Sequence, residues 1–179
     1  MSTATGPLPK DVLERLSKSN FLHLATCSDN IPHVSLMNYT FIGPEESFRS
    51  SDAKQPKYLI LFATNKNTEK YENLVKNPRC SILVHDWVTS DTANQDSILN
   101  LLHRLNQAEV SELSCTLSGH VFKFLDKKDG KEFNYYKDQH LRRNPKAKAF
   151  MEGDDFALVL IQIDCSKVVD TSNHIAQYK

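Results

Sequence analysis

Val12, Leu13 and Leu16 recur at the spacing of one helix face behind Pro9, which suits a first helical turn, and the run ends near Ser19-Asn20. A short amphipathic helix is predicted there. From Phe21 to Thr26 the chain is apolar and strand-like, and Ser28-Asp29-Asn30 breaks it. Pro32 to Ile42 then alternates Val34, Leu36 and Ile42 against His33, Ser35, Met37, Tyr39 and Phe41. Two strands joined by a tight turn make a hairpin. Gly43 to Lys57 has the Gly, Pro, Ser and charge content of a loop. Tyr58 to Ala63 suits a central strand, and Thr64-Asn65-Lys66-Asn67-Thr68 interrupts it with residues that favour turns and helix N-caps.

A helix with Tyr71, Leu74 and Val75 on its inner face should follow, stopped by Pro78, before Cys80 to Trp87 resumes the strand pattern. Ile98, Leu101, Leu102 and Leu105 predict a longer helix from about Gln95 to Glu112. Leu117 to Leu125 reads as a strand, with Gly119 marking a bulge or a close backbone approach. Asp129-Gly130 signals a turn, and Phe133, Tyr136 and Leu141 predict a helix ended by Pro145. Phe156 to Ile163 is apolar on both faces, as in a strand buried on both sides.

Six strand candidates with helices between them, and no Gly-rich phosphate turn, argue against a doubly wound sheet. A mainly β (α+β) barrel of six strands, with peripheral and inserted helices, fits better because closure hides strand edges. The 179 residues suit a single domain, expected over 10–179 behind a disordered stretch 1–9. With 22 Lys+Arg against 22 Asp+Glu, the net charge is zero, so the basic excess of a general nucleic-acid binder is missing. There is no apolar run of membrane-spanning length and no secretory signal, so a protein of the cytoplasm, with the nucleus also open to it, is expected. The four cysteines, Cys27, Cys80, Cys115 and Cys165, form no CxxC pair and sit in apolar runs, as buried reduced thiols do.

The most informative stretch is Phe62 to Leu83: a strand ending in hydroxyls and amides, a helix start, a lysine in the first turn, and a return strand. Free N–H groups at a helix N-terminus attract an anion, and Thr64, Thr68 and Lys70 could add two hydroxyls and a full charge. The same residues also allow a plainer reading, in which Thr68 caps its helix and Lys70 is solvated. Elsewhere the seven histidines are scattered and His85-Asp86 would point to opposite faces of a strand, so no metal site is expected. The basic stretch around Arg142, Arg143, Lys146 and Lys148 could meet an anionic ligand or a nucleic acid, but a solvated helix end is the better explanation. Nothing in the order of residues suggests a Ser-His-Asp or Cys-His nucleophile.

Thr64, Thr68, Lys70 and Asn77-Pro78-Arg79, with the preceding strand Asn30 to Ile42, resemble the pyridoxamine 5′-phosphate oxidase-like family of flavin-binding split barrels. The order of elements agrees over roughly Leu13 to Ile163, and the motifs over residues 21 to 87. The resemblance implies a split barrel that binds flavin mononucleotide at a homodimer interface. It further implies that Ala63, Thr64, Thr68 and Lys70 hold the phosphate end, and that Ser35, Leu36, Met37 and Asn38 lie along the ring. Ser114, five positions before Gly119, corresponds to a polar residue near the flavin.

The chain departs from the family pattern at His33 and Glu69, where arginines are usual, and at Asn38, where a lysine is expected. Its tail VVDTSNHIAQYK also lacks the Trp and Arg-x-His with which the oxidase completes its site. These departures point to a flavin-dependent oxidoreductase with another substrate, or to a non-catalytic binder of a flavin, pyridoxal phosphate or another phosphorylated small molecule. The helix expected around Ile98 to Leu105 could instead recruit a protein partner.

Overall fold

The computed structural model describes residues 8–48, 58–85, 113–151, 153, 155–170 and 174–178. Helix α1 (Lys10–Lys18) begins behind Pro9 and buries Val12 and Leu16. Strands β1 (Phe21–Ser28) and β2 (Ile31–Asn38) form the hairpin, whose turn residues Asp29 and Asn30 both take positive φ. That conformation is tolerated by Asn and Asp better than by other non-glycine residues. β3 (Thr40–Ile42), β4 (Leu59–Asn65), α2 (Glu69–Lys76) and β5 (Arg79–His85) follow. The chain closes with β6 (Leu113–Leu125), α3 (Gly130–Arg143), β7 (Phe156–Asp170) and β8 (Ile175–Tyr178).

The eight strands form one antiparallel sheet in the order β2-β1-β5-β6-β7-β4-β3, with β8 beside β7. Curled with helices against it, this sheet is the split barrel expected from the sequence. The strand count differs for two reasons. The predicted strand Pro32 to Ile42 is interrupted at Tyr39, whose fully buried ring turns away so that its hydroxyl can donate to the Leu16 carbonyl at 2.9 Å. The second difference is β8, which pairs Ile175 with Val169 and Tyr178 with Ser166. The strand expected from Leu117 starts instead at Leu113, and the one expected to end at Ile163 runs to Asp170. The expected helix Gln95 to Glu112 lies outside the described residues, as do Trp87 and residues 1–7, while Leu8 is buried in the core.

Two apolar clusters lie on opposite sides of β4, which explains why it is hydrophobic at every position from Leu59 to Ala63. Ile60 and Phe62 pack with Leu16, Leu22, Leu24, Leu74 and Ile82. Leu59 and Leu61 pack with Phe133, Tyr136 and Phe156 beneath α3. Gly119 shows both features read into it. The β6–β7 register shifts between Ser118 and Gly119, and a Cβ at Gly119 would stand 2.4 Å from the Gln162 carbonyl oxygen. Asp164 is the residue left out of the pairing at this bulge. Its carboxylate accepts from His120 Nδ1 at 2.9 Å and lies 3.7 Å from Arg79, an example of a bulge re-aiming a side chain.

Candidate functional site

β4 ends where α2 begins, and the junction is held by its own short polar side chains. Asn65 Oδ1 accepts the Asn67 N–H at 2.8 Å, while the Asn65 carbonyl accepts the Thr68 hydroxyl at 2.8 Å. This is the local side-chain competition with regular backbone pairing that Asn and Thr provide at turns. Thr68 stands at the N-cap position of α2, yet its side chain makes no cap bond. Its hydroxyl is turned back to Asn65 and lies 3.0 Å from Thr64 Oγ1. The plainer reading of Thr68 as a capping residue therefore does not hold.

The consequence is electrostatic. The N–H groups of Tyr71 and Glu72 reach the Thr68 carbonyl at 2.9 and 3.0 Å, but those of Glu69 and Lys70 meet no acceptor among the described residues. Unsatisfied donors at a helix start carry about half a positive charge and suit an anion. Lys70 stands in the same turn, half-buried and ion-paired with no described carboxylate. Burial lowers its pKa, since desolvation disfavours the charged form. A bound anion would restore that charge. The neighbouring Lys66 is committed elsewhere, 3.3 Å from Asp126, whose carboxyl is held below the usual range by the Lys128 N–H and by Lys66.

β2 approaches this corner with an inverted pattern. Val34 and Leu36, the apolar members of its alternation, are 64% and 56% exposed, whereas His33, Ser35 and Met37 turn toward the inside against Thr26, Leu24 and Leu22. His33 connects the two elements. Its Nε2 lies 3.7 Å from Glu69 Oε2 and its Nδ1 is 3.4 Å from Ser35 Oγ. Deeper in, Asn73 of α2 donates to the Thr26 hydroxyl at 3.3 Å, and Asn77 donates to the Cys27 carbonyl at 3.0 Å. These bonds fix α2 on the β1–β2 hairpin.

Among the residues singled out from sequence, Thr64 and Thr68 touch directly, Lys70 shares their turn, and Ser35 joins them through His33 and Glu69. Met37 shares the inner face of β2 with Ser35, whereas Leu36 and Asn38 lie on its other face, Asn38 opposite Phe21. Ala63 precedes Thr64 but faces the second apolar cluster. Ser114 stands on β6 between His85 and Val169, three strands from β2 in the sheet order and on the outward face. Asn65 was missed as a site residue, although the run Thr-Asn-Lys-Asn-Thr is the signal for the turn it builds. Arg79, His120 and Asp164 form a cluster that no sequence spacing announces, because the bulge at Gly119 creates it.

A family model of pyridoxamine 5′-phosphate oxidase matches residues 8–164. A pyridoxamine 5′-phosphate oxidase homolog of Saccharomyces cerevisiae is 33% identical over 191 residues, spanning 94% of both chains. One from Schizosaccharomyces pombe is 33% identical over 169 residues, spanning 90% of this chain and 85% of its own. Among solved structures, the heme storage protein HutZ of Vibrio cholerae superposes with a TM-score of 0.59 at 15% identity, covering 94% of this chain and 99% of its own. That last likeness is one of fold alone.

Proposed function

The chain belongs to the pyridoxamine 5′-phosphate oxidase family, and on that premise we propose that it binds flavin mononucleotide and works as a flavin-dependent oxidoreductase on a substrate other than pyridoxamine phosphate. The observation that carries this reading is the uncapped start of α2, where the N–H groups of Glu69 and Lys70 and the Lys70 ammonium, none of them paired among the described residues, stand in one turn with the Thr64–Thr68 hydroxyl pair. That donor set fits a phosphate monoester. Hydrogen bonds to charged groups contribute roughly 1.5–3 kcal/mol each, so three or four approach the about 8 kcal/mol of micromolar binding.

In this reading Thr64, Thr68 and Lys70 hold the phosphate, with Ala63 beside them. Ser35 and Met37, on the inner face of β2, would hold the ring end, and Leu36, Asn38 and Ser114, which the resemblance also implied, lie on the opposite face of the sheet. When bound, the flavin supplies the electron or hydride transfer itself, and the protein contributes binding, orientation and electrostatics. Lys70 holds positive charge where the anion rests, and the Asn65 turn keeps both threonine hydroxyls beside it. The apolar outer face bearing Val34, Leu36, Leu83 and Phe21 is an exposed patch of the kind that marks a protein interface, and a homodimer covers it.

The departures favour one further reading, a non-catalytic binding protein for a flavin or pyridoxal phosphate. Asn38 brings no charge to the ring end, Glu69 adds an opposing one beside the anion cradle, and the tail is engaged as β8 along β7. Absorption spectroscopy of the purified protein, with and without added flavin mononucleotide, tests the binding itself, and a flavin band that follows the protein is the expected result. Assay of the loaded protein then separates the two readings. Reduction of the flavin by any amine, alcohol or nicotinamide donor supports the oxidoreductase, and turnover of pyridoxamine phosphate at enzyme-like rates contradicts both readings.

A further inference from the structure

A hollow lies away from the anion cradle, between α1, β3, the 3₁₀ turn Pro44–Glu46 and the last turns of α3. Its volume, about 630 Å³, is within the range of small-molecule sites. The walls are tied together. The Glu46 carbonyl accepts from Tyr135 Oη at 2.9 Å and from Gln139 Nε2 at 3.1 Å, and the Glu46 carboxylate accepts the Gly43 N–H at 3.0 Å. Arg143 donates to the carbonyls of Ser17 and Ser19, which joins α3 to α1. At the base, the buried Thr40 hydroxyl is within 3.0 Å of His140 Nδ1 and accepts from Asn144 Nδ2 at 3.2 Å. Such cross-links preorganise a site before any ligand arrives.

Two charges remain uncommitted in this framework. Glu45 and Arg142 both line the cleft, yet among the described residues they are ion-paired neither with each other nor with any other side chain. Arg142 in the last turn of α3 opposes the partial negative charge of the helix end, which accounts for its place on the helix. It does not account for an unpaired carboxylate lining the same hollow. Phe41 adds an aromatic wall, stacked on Tyr58 with ring centroids 6.1 Å apart.

We propose that this cleft binds a small zwitterion with an apolar body, in the class of a free α-amino acid, its carboxylate on Arg142, its ammonium on Glu45 and its side chain against Phe41. An anion alone would leave Glu45 unmatched and a cation alone would leave Arg142 unmatched. One molecule carrying both charges satisfies both. The proposal stands apart from the flavin reading, since none of its residues belongs to the Thr64–Lys70 group.

The test is an NMR titration of the full chain, without added flavin, by three probes of one shape: L-phenylalanine, 3-phenylpropanoate and phenethylamine. The signals followed are the Gln139 side-chain amide and the Arg142 Nε–H. L-Phenylalanine should give saturable shifts, with the two singly charged probes at least about tenfold weaker. Arg142→Gln and Glu45→Gln should each weaken L-phenylalanine by a similar factor while leaving the protein folded, since both side chains are exposed and ion-paired with no described residue. Equal binding of 3-phenylpropanoate, absence of saturable shifts with all three probes, or unchanged affinity in either variant would overturn the proposal.

Discussion

Glu69 Oε2 lies 3.7 Å from His33 Nε2, so the carboxylate in the first turn of α2 leans toward β2 beside the group proposed to hold a phosphate. A negative charge there opposes an incoming anion, and His33 partly draws it aside. Glu69→Gln removes the opposing charge without changing the shape. Its affinity for flavin mononucleotide, measured by quenching of flavin fluorescence, should rise by about three- to tenfold. An affinity equal to or weaker than wild type would mean that the anion is held out of reach of this carboxylate.

His140 lies on the buried face of α3 with its Nδ1 3.0 Å from the Thr40 hydroxyl, and desolvation lowers its pKa from 6.5 to about 4. The folded protein therefore keeps the ring neutral where the unfolded chain already binds a proton. Stability that is full above pH 6.5 is lost as the pH falls toward 4, by about 3 kcal/mol for a shift of this size. Urea unfolding midpoints at pH 7.5 and pH 4.5 read the loss. His140→Asn should show a clearly smaller drop between the two, and an identical drop would assign acid sensitivity to other groups.

Gly119 admits no side chain, because a Cβ would stand 2.4 Å from the Gln162 carbonyl oxygen and 2.9 Å from Ile161 Cγ2. The nearest atom is backbone of the adjoining strand and cannot rotate away. Gly119→Ala should destabilise the protein by about 1–3 kcal/mol through overpacking at the bulge. The change should appear as a lower denaturant midpoint at an unchanged slope. A midpoint within error of wild type would show that the strands part freely there.

Leu36 is 56% exposed beside Val34 at 64% on the outer face of β2. If a second copy covers this face, Leu36→Glu places an unpaired charge at the interface and should convert a dimeric mass in light scattering to a monomeric one at micromolar concentration. A wild-type protein already monomeric under those conditions would remove the homodimer.

The sequence made the strand order around α2 legible because its turn chemistry is local. Thr64 to Thr68 build their own junction, Pro78 ends the helix, and Phe156 to Ile161 shows by its unbroken apolarity that both its faces are covered. What stayed hidden depended on distant partners. The break at Tyr39 needs the Leu16 carbonyl, and β8 needs the free edge of β7. The orientation of β2 was hidden for a related reason. Alternation locates its two faces but does not say which is inside, and the apolar one turns outward. The Arg79–His120–Asp164 cluster was illegible because one extra residue in β7 re-aims the aspartate, and periodicity is blind to a bulge.

The most direct test of the anion cradle is titration of flavin mononucleotide into the wild-type protein and into Lys70→Ala, followed by fluorescence quenching and the visible spectrum. Wild type should bind at micromolar concentration or below, and the variant at least about tenfold more weakly, a loss of roughly 1.4 kcal/mol. A wild-type protein that leaves the flavin signal unchanged, or a variant that binds as tightly as wild type, would contradict the account.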